Sequence, residues 1–210
     1  MDEKILHSRT VKDDVLNPKI VRELLSIKGQ CRNMAVYDNV EFILAHEGEA
    51  GLALVEKIIA EAECPFKTSD LKSSYFFPIG FETIMLLAMK KAFNYDDEKF
   101  EEIGVSNAKQ SLIVRIFAKY FVSIRKVAEE APKMWKRYYL LGDVKIIRFS
   151  EERKEVVVRV EGFKVHPLHC RVFKGYFGAV LKMIVGAPVK ARETSCVFQG
   201  GAFDEFLLTW

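Results

Sequence analysis

The side chains that could do chemistry gather in residues 166–210, where His166, His169, Cys170, Cys196 and Asp204 all occur. Two further cysteines, Cys31 and Cys64, lie far from them in sequence. No two cysteines form a CxxC pair, so a finger or ribbon site for zinc is not expected. The simplest state for these four is a reduced and largely buried thiol. A metal here would have to join Cys196 to Cys170 or His169, and to Asp204, across separate elements, and no metal ligand is assigned. His166 and His169 flank Pro167 at a helix start, which suits capping or partly exposed histidines. No feature orients a base toward a thiol. There is no G-x-S-x-G elbow, and Gly104, Gly142 and Gly162 stand alone rather than in a phosphate loop. The carboxylate pairs Glu101-Glu102 and Glu151-Glu152 sit in polar turns or helix starts. No catalytic residue is assigned, and a non-catalytic chain is expected.

Binding residues are easier to nominate. Sixteen phenylalanines in 210 residues imply an aromatic interior. In a helix over 167–185, His169, Phe173, Phe177, Val180 and Ile184 fall near one face. Gly175 and Gly178 on that helix allow another backbone or a ligand to approach, and helix packing is the favoured reading. Phe77, Phe81 and Met85 offer a second wall, because aromatics and methionine adapt to apolar ligands. Phe117 and Phe121 belong to the buried side of a helix capped by Ser106 or Asn107 and running through Val127. The candidate ligand-binding residues are therefore Phe77, Phe81, Met85, Phe117, Phe121, His169, Cys170, Phe173, Phe177 and Cys196. They would hold a small apolar molecule between helices 78–93, 107–127 and 167–185 and a sheet.

The elements that must position these residues follow from periodicity. Asn17-Pro18 caps a helix over 17–28, and residues 48–62 form a second that Cys64-Pro65 stops. An apolar helix runs to Phe93. The acidic stretch Asp96-Asp97-Glu98 reads as a loop, and Pro132 begins a further helix. After Gly142 the period changes to alternation. Strands are expected over 143–149 and 155–163, then helix 167–185, then strands 188–198 and 203–210. The fold class is α+β, with a helical N-terminal part followed by a small antiparallel sheet in β-β-α-β-β order. Residues 1–70 read as a helical extension and 71–210 as the binding domain, the two forming one compact unit.

Composition narrows the function classes. Half of the residues are hydrophobic, and 29% are charged, as in an ordinary globular protein. No apolar run reaches membrane-spanning length, and the polar N-terminus does not resemble a signal peptide, so a cytoplasmic protein is expected. Net charge is +3, unevenly spread: residues 115–192 hold 18 Lys/Arg and 7 Asp/Glu. Those charges are scattered and no nucleic-acid motif accompanies them, so nucleic acid is not an expected partner.

One pattern goes further. A glycine-spaced apolar helix, a strand of the form V-x-A-R-E-T-x-C, a glycine turn and a last apolar strand together resemble the 4-vinyl reductase domain. That family is related to haem nitric-oxide-binding domains and to vesicle-tethering complex subunits. Cys170, Gly175, Gly178, Val189, Arg192, Glu193, Cys196, Gly200 and Phe206 carry the resemblance. It implies a small-molecule-binding or sensory domain with an apolar cavity between helices and sheet, and cysteines in ligand or metal contact. The chain departs from the family after the glycine turn, where Gly201-Ala202-Phe203-Asp204-Glu205-Phe206 holds no second cysteine. The Tyr-x-Ser-x-Arg triplet that binds haem propionates in the haem-sensor relatives is missing too. The cofactor is therefore left open, with haem and a metal as the family's candidates. The tethering relatives suggest an alternative, a structural module acting as a homodimer; the haem relatives suggest a gas sensor.

Overall fold

Asn17 opens the first helix as its sequence requires. Its Oδ1 accepts from the backbone N–H groups of Lys19 and Ile20, at 3.0 and 3.1 Å, and Pro18 occupies the first helical position, where its missing N–H costs nothing. In this computed structural model, residues 15–71, 75–111 and 124–210 are described. The helical part consists of α1 (Pro18–Leu25), α2 (Asn33–Glu61), α3 (Ile79–Phe93), α4 (Asp97–Gln110) and α5 (Ile124–Tyr138). Short strands β1 (Gln30–Arg32) and β2 (Phe76–Pro78) pair antiparallel between them. The C-terminal part runs β3 (Asp143–Ser150), β4 (Glu155–Glu161), α6 (Leu168–Val185), β5 (Lys190–Ser195) and β6 (Asp204–Thr209). Its four strands form one antiparallel sheet in the order β3-β4-β6-β5. The fold is α+β with the expected β-β-α-β-β succession.

Five sequence expectations change. Residues 33–47 form the first half of α2, which periodicity missed because Asn33, Asp38 and Asn39 interrupt its apolar stripe and are nevertheless buried. Gly48, at φ 67°, kinks the helix before residues 49–61 continue it. The acidic stretch read as a loop is the start of α4: Asp96 caps it through the Lys99 N–H at 2.9 Å, with Asp97 and Glu98 in the first turn. Negative charge is favourable there, beside the unpaired N–H groups. Pro132 lies inside α5 rather than at its start. The strand expected over 188–198 ends at Ser195 and is followed by a 3-10 turn at Val197–Gln199. Of the helix expected over 107–127, the start belongs to α4 and the end to α5; the intervening residues, with Phe117 and Phe121, lie outside the described residues.

The main core cluster joins Leu24 of α1, Phe42 of α2, Phe81 of α3 and Phe206 of β6, and a small second one gathers Cys170, Cys196 and Phe198. Its tightest seam is between α4 and α6. A Cβ on Gly104 would stand 2.0 Å from the Val172 carbonyl oxygen, and one on Gly175 would stand 1.9 Å from that of Glu101. Only glycine allows two helices this close. Trp135 fixes α5 over the sheet by donating from Nε1 to the carbonyls of Leu141 (2.9 Å) and Gly142 (3.1 Å). Among the described residues, no helix is long and apolar enough to cross a membrane.

Candidate functional site

Between α5, α6 and the inner face of the sheet lies a cavity of about 140 Å³. Val144, Ile146, Val156, Val158 and Leu208 form its sheet wall, and Phe173, Phe177, Val180 and Ile184 line it from α6. From α5 come Val127, Ala131, Met134, Trp135 and Tyr138. The alternation of β3 and β4 turns these valines inward, and the near-helical spacing of α6 turns Phe173, Phe177, Val180 and Ile184 toward them. One end is polar, where Asp38 of α2, Asn107 of α4, Ser111, Tyr138 and Tyr176 meet. Asn107 donates from Nδ2 to Asn39 Oδ1 (3.3 Å), which leaves its own Oδ1 without a partner. Tyr138 and Ser111 share a hydrogen bond of 2.8 Å. Burial, and then the nearby Glu41, push the Asp38 carboxyl up to about 7.

A second cluster stands at the N-terminal end of α6. Cys170 at its first turn, Glu193 near the end of β5, Cys196 after it and Asp204 at the start of β6 converge. Their ligand-capable atoms all lie within 4.8 Å of one another. The two sulfurs are 3.9 Å apart. Zinc–sulfur bonds near 2.3 Å in a tetrahedron separate two sulfurs by roughly 3.8 Å, so the spacing suits a closed four-ligand site. The carboxylates are already oriented. Glu193 Oε2 accepts from Arg171 Nη1 (2.6 Å) while its Oε1 is buried without a partner, and Asp204 Oδ1 accepts from the Val197 N–H (2.9 Å). Burial, and then the Asp204 charge, push the Cys170 thiol up. A divalent cation would relieve that charge and displace the thiol protons.

The ten nominated residues thus separate. Phe173 and Phe177 line the cavity, whereas Cys170 and Cys196 join the acidic cluster. Phe77 and Phe81 pack with Phe66, at centroid distances of 5.5 to 5.7 Å, and Met85 is fully buried nearby. These three are core residues of α3 and its entry strand and do not line the cavity; α3 packs on α1 and α2 instead. His169 is also buried. Its Nε2 lies 2.9 Å from Thr83 Oγ1, its Nδ1 has no partner, and burial lowers it to about 3. His166 accepts from the Leu168 N–H at 3.2 Å, so it does cap the helix, but neither histidine is exposed. Sequence reasoning missed Asp38, Asn107, Tyr138, Tyr176 and Glu193. The first four are brought together only by the packing of α2, α4, α5 and α6. Glu193 could have been found from its place three residues before Cys196.

No family model matches the sequence, and no curated protein matches it. Solved structures do. An H-NOX protein from S. oneidensis aligns over 85% of this chain and 95% of its own, with a TM-score of 0.66 at 11% identity. An H-NOX protein mutant from K. algicida gives the same coverages, with a TM-score of 0.63 at 13% identity. This chain has the H-NOX fold. The resemblance drawn from residues 166–210 is borne out at the level of this fold, while the 4-vinyl reductase name rests on the sequence pattern alone. The S. oneidensis structure is described in its Fe(II) ligation state, and another H-NOX structure in terms of heme distortion. The H-NOX fold therefore raises haem for this chain, and the cavity does not fit it. At about 140 Å³, the space falls below the roughly 300 Å³ at which pockets for drug-sized ligands begin. Among the described lining residues there is no histidine or cysteine to serve as axial ligand, and no arginine or lysine to pair with propionates.

Proposed function

We propose that this chain is a non-catalytic binding domain on the H-NOX fold that holds one small, largely apolar molecule between α5, α6 and the sheet. The cavity is the observation that carries this reading. Its volume is close to that of a roughly 150 Å³ apolar cavity known to take up benzene, so the natural occupant is of single-ring size. Burial supplies the binding free energy, at about 25 cal/mol for each Å² of apolar surface removed from water. Changes in the occupant would be felt by α5 and α6, which makes a sensory role the natural use of the site. Titrating the purified protein with single-ring aromatics, followed by calorimetry and by native mass spectrometry, tests the reading. A saturable one-to-one complex is expected; no binding by any probe would overturn it.

The second cluster supports a structural metal in the same domain. Cys170, Glu193, Cys196 and Asp204 would hold a borderline-soft divalent ion such as zinc, and four protein ligands leave no open position for catalysis. The ion would tie the first turn of α6 to the ends of β5 and β6. Metal analysis of the purified protein should return equimolar zinc, lost in a Cys170→Ser, Cys196→Ser double variant. A metal-free wild type that also fails to take up added zinc would remove the ion from the proposal and leave the cavity untouched.

A further inference from the structure

The polar end of the cavity sets one carboxylate, Asp38, beside the hydroxyls of Ser111, Tyr138 and Tyr176. Asn107 donates to Asn39, and its own Oδ1 is buried without a partner. The Tyr138 and Ser111 hydroxyls are engaged with each other. Asp38 is 8% exposed, and that exposure opens onto the cavity. No cation among the described residues forms an ion pair with it, although a buried carboxylate is costly without one. Tyr138 and Tyr176 line the same cavity, and aromatic rings there also attract a cation.

Resting on the cavity reading above, we propose that the ligand class is a small aryl- or alkylamine, whose ammonium group donates to Asp38 and whose hydrocarbon part fills the valine- and phenylalanine-lined space. An occupant with only acceptors at that end, such as a carboxylate, would face Asp38 with like charge and no hydrogen to donate. An ammonium carries three donors and the missing positive charge. Glu41 on α2 adds to the negative potential around Asp38, which favours a cation further.

The test compares probes of one shape. Benzylamine, benzyl alcohol, ethylbenzene and benzoate are titrated into the full chain by calorimetry at one pH. Benzylamine is expected to bind at least about tenfold more tightly than ethylbenzene, with benzyl alcohol between them and benzoate weakest. In Asp38→Asn the amine should lose about tenfold while ethylbenzene stays within about twofold. If ethylbenzene binds as well as benzylamine, or if Asp38→Asn leaves the amine unchanged, the amine class is wrong and the cavity reading survives. If none of the four binds, both fall. The wild-type comparison of probes stands even if the variant does not fold.

Discussion

Glu82 shows how much a single buried group can set. It is 1% exposed, Tyr139 donates to its Oε1 at 3.0 Å, and its Oε2 has no partner beside the Cys31 thiol. Burial pushes it up to about 8. An unfolded chain releases this proton near 4.5, so the folded state alone retains it between there and about 8. Stability present at acid pH is lost as pH rises through that window, on the order of 1 kcal/mol per unit. Glu82→Gln should flatten the fall and raise the melting temperature at pH 8, as thermal denaturation across pH would show; an unchanged slope would mean the carboxyl reaches water. His169 acts on the other flank. Lowered to about 3 by burial, it stays neutral in the fold while the unfolded chain takes up a proton near 6.5. Stability therefore declines as pH falls below 6.5, and His169→Gln should lessen that decline in denaturant titrations at pH 5. Neither effect is legible in sequence. His166 and His169 look alike there, and their burial comes from β4, α3 and α6 meeting around them.

At the scale of elements, α6 divides its glycines by task. A Cβ on Gly175 would stand 1.9 Å from the Glu101 carbonyl oxygen, whereas one on Gly178 would find Ala191 Cβ at an ordinary 3.5 Å. The same substitution should then have opposite signs. Gly175→Ala forces α4 and α6 apart and should cost about 1–3 kcal/mol. Gly178→Ala gains helix propensity and should be neutral or stabilising by up to about 1 kcal/mol. Chemical denaturation of both variants decides this, and equal effects would argue against the seam. The glycine spacing was readable in the sequence, and packing was the favoured reading of it. Which glycine packs was not, because Gly104 sits in a segment whose acidic start read as a loop.

For the whole molecule, both candidate sites draw on α6, Cys170 from its first turn and Phe173 to Ile184 from the turns that follow, so α6 couples them. Removing a metal from Cys170, Glu193, Cys196 and Asp204 frees the first turn of α6 and the ends of two strands. Chelation should lower the melting temperature and weaken binding of a single-ring aromatic measured in the same sample. An aromatic affinity indifferent to chelation would show that the sites are independent. Amino-acid order alone determined the α+β class, the β-β-α-β-β succession and the aromatic face of α6, because each follows from local periodicity and turn chemistry. It narrowed a metal to Cys196 with Cys170 or His169, and Asp204 as a further ligand, without assigning one. Only the tertiary structure decided that Glu193 completes that set, that Phe81 and Met85 are core, and that Asp38 faces an apolar cavity. Those outcomes depend on which buried surfaces meet, and no pattern along a single strand or helix records its neighbour.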